Sequence, residues 1–309
     1  MTAGPDTGRG DGVRFRPVYR PPRRAASHRS APGATVLSLL LIVLGGCGDG
    51  GGGSAGDVEA MAEELEEIAA AVHEAWYAKS PEAIRALYTA DVAHNDDSSL
   101  NHIEGIDGIV ALASGIFPAL PDGGTFDAPT YVGGDAGAVV SGTRGVVGIF
   151  YAEGEAPPPE VDVYGIRDGL IETWDVFFIH DEFADDDALP TRYAAAWSSG
   201  DRAAVEALYA SDAGRTDGVF GEQAEGRDAI GSAASAFFEA HTGATWQLTA
   251  GMGDKGIYTD PVARGGVYTI TADGCAVGAV VALDVGDEGI VAESVFYDAA
   301  SLISCGWVG

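Results

Sequence analysis

Apolar positions over residues 57–79 recur with the helical period: Met61, Leu65, Ile68, Val72 and Trp76 fall close to one stripe. Ser80-Pro81-Glu82 then offers a second helix start, with Ser80 as cap and Pro81 in the first helical position. That helix is predicted to end near Ala90, and a third is predicted over 107–117, stopped before Pro118. Beyond it the texture changes. β-Branched and aromatic runs over 125–131, 138–151, 161–167 and 170–178 read as strands, with Gly-containing breaks between them. Arg167-Asp168-Gly169 is a tight-turn signal between the last two.

The same order then returns. Helices are predicted over 189–199, 202–210 (Asp201 as cap) and 227–240, and strands over 245–251, 256–271, 276–285 and 290–297. Individual residues return too. Ala75-Trp76 and Glu82–Asp91 (EAIRALYTAD) reappear as Ala196-Trp197 and Ala203–Asp212 (AAVEALYASD), and Asp96 reappears as Asp217. Glu104–Ile109 likewise reappears as Glu225–Ile230. An offset of about 121 residues is domain length, not solenoid length. Each copy is long enough to bury a core of its own. Three helices followed by strands predict an α+β domain, with helices on one face of a curved antiparallel sheet. Such a sheet wraps into a cone whose interior is either packed or hollow. The expected limits are 58–182 for the first domain, 183–189 for an acidic linker, 190–300 for the second domain and 301–309 for a tail.

The N-terminus belongs to neither copy. Residues 1–35 are irregular and carry seven Arg against two Asp, and Val36–Leu44 is a short apolar run. A basic flank, a short apolar core and small residues make a secretory signal, too short to span a bilayer. Leu44-Gly45-Gly46-Cys47 resembles a bacterial lipobox. That resemblance implies a signal peptide over 1–46, a diacylated Cys47, a flexible Gly-rich tether over 47–57 and a lipid-anchored protein on the extracytoplasmic face of the cell membrane.

The whole chain has a formal net charge of −30, and removal of residues 1–46 would make it −35. Nucleic acid and anionic lipid would be repelled, so neither is an expected partner. Asp185-Asp186-Asp187 lacks the Gly and Glu spacing of a calcium loop and reads as a solvated hinge. With Cys47 assigned to lipid, Cys275 and Cys305 remain. In an exported chain they are expected to form a disulfide that staples the tail to the second sheet; two free buried thiols are the alternative. No CxxC occurs, and no metal or cofactor is expected. His94, Asp96, Asp97 and His102 could ligate a metal, but loops of this kind are more often simply polar. His180-Asp181, at the end of a predicted strand, reads as surface polarity or as an acid–base pair.

Trp197–Asp201, Ala207–Asp212, Glu225–Ile230 and the closing strand over 290–298 resemble the NTF2-like superfamily, in its SnoaL-like and ketosteroid-isomerase-like branch. The resemblance spans nearly all of 60–300. It implies two tandem cones and a range of activities from isomerase to hydrolase, alongside binding without chemistry; fold does not choose among them. The isomerases of the family place an Asp base five residues after the Asp that ends the second helix, a position matched by Asp96 and by Asp217. Their oxyanion-hole Tyr is matched by Tyr193, where the first copy has Val72. Their protonated Asp is matched by Asp162, where the second copy has Val281. Neither copy holds the whole set. Each of these residues also has a plainer reading, as an edge polar group or a core aromatic. Trp76, Tyr88, Tyr164, Trp174, Trp197, Tyr209, Trp246 and Phe296 are expected to fill the cones, some of them lining a pocket for a flat apolar ligand. Three functions stay open: a binder of a small hydrophobic or carbonyl-bearing ligand, a weak isomerase, cyclase or hydrolase with an Asp base, and a structural module in which the two sheets pair.

Overall fold

The first helix begins where the chain offers it a reciprocal cap. Ser54 accepts from the Asp57 amide, and the Asp57 carboxylate accepts from the Ser54 amide. The computed structural model describes residues 54–96, 101–119, 131–133, 144–150, 160–217, 219–220, 222–253 and 262–308. Cys47, the apolar run and the start of the tether lie outside these residues. All described residues belong to one compact unit, Gly48–Gly309.

Helix α1 (Ala55–Tyr77) buries Leu65, Ile68 and Val72 of the predicted stripe, while Met61 and Trp76 pack against its edge. Helix α2 (Pro81–Leu87) is capped by Ser80, whose hydroxyl accepts from the Ala83 amide. It ends three residues before the predicted limit, because Tyr88 is already extended and opens a strand. That strand, β1 (Tyr88–Asp96), and its partner β2 (Asn101–Glu104) were not foreseen. Their polar sequence carries no strand alternation, and β1 forms by lying parallel to a strand some eighty residues on. Helix α3 (Ile106–Ile116) follows, then β3 (Tyr131–Gly133), β4 (Arg144–Phe150), β5 (Glu160–Arg167) and β6 (Leu170–Ile179).

The second half repeats this order with α4 (Leu189–Ser198), α5 (Arg202–Glu206), β7 (Tyr209–Asp217), β8 (Glu222–Glu225) and α6 (Arg227–Ala240). Strands β9 (Thr245–Gly253), β10 (Val262–Ala272), β11 (Cys275–Gly286) and β12 (Gly289–Asp298) come next, then helix α7 (Ala299–Ser304). Helix α5 again ends early, replaced by β7. The fold is α+β, and its sheet is antiparallel except where β1 lies along β6 and β7 along β12. Two-residue turns set the hairpin registers. Asp168-Gly169 and Asp273-Gly274 both hold positive φ, the conformation that matches strand twist and favours Asp-Gly.

Among the described residues the strands join one sheet. Its continuity across the halves rests on two reciprocal pairings. Phe178 and Ile179 of β6 pair with Gly253 and Met252 of β9. Phe296, Tyr297 and Asp298 of β12 pair with Gly133, Val132 and Tyr131 of β3. Beside these junctions a small core forms from Val161, Val163 and Phe177 of the first half and Met252, Val267, Val280 and Phe296 of the second. Gly251 is needed here. The chain leaving β6 crosses it so closely that a Cβ would meet the Phe183 backbone at 2.3 Å. The tail is held at the far end, where Cys275 and Cys305 are disulfide-bonded with Cα atoms 5.7 Å apart. As expected from the sequence, this bond staples α7 to the second sheet.

A buried tyrosine–carboxylate–arginine cluster as the candidate functional site

Strand β7 sends alternate side chains inward, and Arg215 and Asp217 are therefore both buried. Opposite Arg215 in the parallel register stands Glu293 of β12. The Arg215 Nε lies 3.1 Å from Glu293 Oε1, and its Nη2 lies 3.4 Å from Asp217 Oδ2. The guanidinium also covers the Trp197 ring at 5.1 Å. Tyrosine hydroxyls complete the set. Tyr193 of α4 donates to Glu293 Oε1 at 2.8 Å, Tyr209 donates to Oε2 of the same carboxylate, and Tyr297 donates to Asp217 Oδ2 at 2.7 Å. The Phe220 amide donates to the other Asp217 oxygen at 3.3 Å. A continuous polar chain thus runs Tyr193–Glu293–Arg215–Asp217–Tyr297 through the interior of the second half.

Burial pushes the Tyr193, Tyr209 and Tyr297 hydroxyls well above the ordinary phenol range, and the neighbouring carboxylate charge adds to the shift in each. Burial does the same to Tyr268, which donates to the Pro190 carbonyl. All four therefore keep their protons and donate them. Around the chain stand the rings of Trp197, Trp246 and Phe237. The indole N–H groups of Trp197 and Trp246 are buried with no hydrogen-bond acceptor, and both rings lie within 6 Å of Tyr193. An unpaired buried donor costs about 1–3 kcal/mol, so these two groups are where an incoming oxygen would gain most.

The first half places different chemistry on the same scaffold. His94 stands at the position of Arg215, opposite Trp174 at the position of Glu293. The His94 ring stacks on Trp174 at 4.0 Å, and its Nδ1 lies 3.0 Å from the Trp174 carbonyl oxygen. Trp174 Nε1 donates to Asp162 Oδ1 at 3.0 Å, and the Tyr164 hydroxyl reaches Oδ2 at 3.5 Å. Tyr88 is the counterpart of Tyr209; burial raises its pKa well above the usual value, with the Asp162 charge a smaller contribution. Trp76 packs edge-on against Trp174 at 5.8 Å.

Of the residues proposed from sequence, Asp217 and Tyr193 enter one cluster, but each is engaged by a different partner. Asp162 enters the corresponding cluster of the first half with Tyr88, Tyr164, Trp174 and Trp76. The Asp96 backbone pairs with Asn101 and Val176, and its side chain lies outside the described residues, as do the side chains of Asn95 and His102 and the whole of Asp97. Phe296 does not line either cluster: neighbouring Val295 and Tyr297 face inward, so strand alternation sends Phe296 to the small core at the junction of the halves. Sequence reasoning missed Arg215, Glu293 and Tyr297. A signal existed, since Arg215 and Asp217 alternate on one strand, but no element is predicted between the helix over 202–210 and the helix over 227–240. Among the described residues, no group of His, Cys, Asp and Glu is arranged to hold a metal ion.

Residues 69–174, from α1 to Trp174, match the family model of the SnoaL-like domain. Over these residues the chain is similar to SnoaL-like domains of the NTF2-like superfamily. Comparison with curated proteins found no match. Among solved structures, the chain is similar to a hypothetical protein of ketosteroid-isomerase-like fold from Catenulispora acidiphila, crystallised with trimethylamine. That likeness has 23% identity and a TM-score of 0.32, over 38% of this chain and 92% of that one. An NTF2-like protein of unknown function from Cytophaga hutchinsonii is 10% identical over 36% of this chain and 88% of its own, with a TM-score of 0.27. An LEH-like epoxide hydrolase from M. tuberculosis is 13% identical over 37% and 82%, with a TM-score of 0.29. Likenesses at this level assign no chemistry.

Proposed function

We propose that this chain is an exported lipoprotein, anchored through Cys47, whose second NTF2-like domain binds a small carbonyl-bearing ligand. The domains run over 58–182 and 190–300, joined by the link at 183–189 and followed by the tail at 301–309. They act as one unit through their reciprocal strand pairings. One observation carries the binding reading: two indole N–H groups, of Trp197 and Trp246, are buried without acceptors beside Tyr193. A ligand carbonyl would supply the missing acceptor, while the surrounding rings would take its apolar body. The hydroxyls of Tyr193, Tyr209 and Tyr297 are already donated to carboxylates, so recognition falls to the indoles.

Native mass spectrometry of the mature protein tests this reading. A co-purified small molecule, lost or weakened about tenfold in Trp246→Phe, is the expected result. A mature protein that carries no ligand and binds none of a panel of enones and β-keto compounds would end it. The anchor is tested separately: Cys47→Ala should release the protein from the membrane fraction, and unchanged retention with no lipid mass on the wild type would refute the anchor.

The polar chain supports a second reading, acid–base catalysis on an enolisable ligand, with Asp217 as proton carrier. Turnover of the same panel that is lost in Asp217→Asn would favour it; loss in Asp96→Asn alone would move the chemistry to the first domain.

A further inference from the structure

The two indole N–H groups that carry the ligand reading are shut away from solvent. Trp197 is 1% exposed and Trp246 5%, so a ligand reaches them only when part of their cover moves. Phe237 of α6 touches both rings, at 5.8 and 6.0 Å. Outside Phe237 lies the tail. The Trp307 ring stands edge-on to Phe237 at 6.3 Å and stacks on His241, at the end of α6, at 4.3 Å. His241 in turn meets Asp273 of the β10–β11 turn at 3.3 Å. Phe237, His241 and Trp307 are each half-buried. From the inside outward, the layers are Trp197 and Trp246, then Phe237, then Trp307 and solvent.

Little ties the end of the tail to what it covers. Leu302 is buried and roots α7, and the Ser301 hydroxyl accepts from the Gly278 amide at 3.2 Å. Beyond that root, the amides of Cys305, Gly306 and Trp307 donate to the carbonyls of Ser301, Ile303 and Leu302, within the tail itself. Packing of Trp307 and Val308 and the Cys275–Cys305 disulfide hold the rest. A segment with few buried contacts and locally closed hydrogen bonds opens at low free energy once its covalent tie is cut. The disulfide stands at the base of this segment, just before Trp307. Both cysteines are half-buried, which leaves them within reach of a thiolate.

We propose that residues 304–308 form a lid over the aromatic site of the second half, locked by the Cys275–Cys305 disulfide and freed by a dithiol. The proposal rests on the reading of Trp197 and Trp246 as the ligand site. One thiolate of the dithiol attacks a disulfide sulfur, and the other cysteine leaves as a thiolate. The second thiol of the reductant then displaces the first. Both protein sulfurs take up a proton and end as thiols. The reductant, having given up two electrons and two protons, leaves as a disulfide. Trp307 then swings off Phe237, and Phe237 is free to change rotamer and open a path to the indoles.

Indole N–H exchange of the isotope-labelled mature chain, followed by NMR with and without dithiothreitol, tests the lid without any ligand. Of the five tryptophans, Trp197 and Trp246 should exchange at least about tenfold faster once the disulfide is reduced. Trp174 of the first half, whose indole donates to Asp162, should keep its rate. Trp307→Ala, which leaves the disulfide in place, should speed the same two signals, an effect that loss of the covalent bond cannot explain. Unchanged protection of Trp197 and Trp246 in protein shown by mass to hold two free thiols would overturn the proposal. So would equal acceleration of Trp174, the mark of general loosening, or protection undiminished in Trp307→Ala. Because no ligand enters these measurements, a chain that binds no carbonyl compound fails the ligand reading and not the lid.

Discussion

The two halves solve one packing problem with opposite chemistry. At the inward position of the first parallel strand the first half has His94 and the second Arg215; on the partner strand they have Trp174 and Glu293. One strand further, Asp162 faces Val176 in the first half, and Val281 faces Val295 in the second. The buried carboxylate has moved from β5 to β12, and its donors have changed with it. In the first half the Trp174 indole N–H reaches Asp162 at 3.0 Å and the Tyr164 hydroxyl at 3.5 Å; in the second, two tyrosines and an arginine converge on Glu293. Tyr193 belongs to the second arrangement, because its hydroxyl reaches Glu293; in the first half the matching position is Val72. The difference teaches that polar residues in these interiors are exchanged as sets. A buried donor and its acceptor must change together, or one is left unsatisfied.

The largest expected effect that sets the halves apart is with alkaline pH. Among the described residues, Tyr193, Tyr209, Tyr268 and Tyr297 of the second half and Tyr88 of the first have raised pKa values. The folded state keeps these protons, while unfolded tyrosines release them near pH 10. Their contribution is therefore complete below pH 10 and is lost as pH rises above it. Four retained protons would lower stability by roughly 5 kcal/mol one pH unit higher. Denaturant melts between pH 9 and 11, followed by tyrosinate absorbance, should show both changes together. Ionisation of these tyrosines in the still-folded protein would contradict the picture.

Glu293→Leu should cost about 3–5 kcal/mol, since it takes one of two carboxylates from the buried Arg215 and the acceptor from two tyrosine hydroxyls. Chemical denaturation measures this, and a loss under 1 kcal/mol would mean that the cluster is solvated. Replacing both Cys275 and Cys305 by Ser should cost about 3 kcal/mol, as expected for a loop with a sequence separation of 30 residues. The first half has no counterpart to this staple among the described residues. A double variant as stable as the wild type would show that the tail docks without it.

The smallest effect sharpens the comparison most. Tyr193→Phe should cost about 1 kcal/mol, one hydrogen bond from a set in which Glu293 keeps its other donors. A loss as large as that of Glu293→Leu would mean that Tyr193 alone holds the carboxylate.

Helix stripes, caps and Asp-Gly turns are local, and residues 57–79, Ser80-Pro81 and Asp168-Gly169 could be read without the fold. The duplication was visible because equivalent residues recur at one spacing, and the disulfide because few cysteines were available. Strands β1 and β7 were hidden. Each is polar, and each is held in the sheet by a parallel partner about eighty residues away. With them were hidden Arg215, Glu293 and Tyr297, which are inward-facing only once β7 and β12 lie in register. The sequence by itself determined the long helices, their caps, the tight turns and the recurrence of equivalent residues at one spacing. Tertiary structure decided which carboxylate meets which donor, because hydrogen bonds inside an apolar interior depend on sub-ångström register between strands that the linear chain keeps far apart.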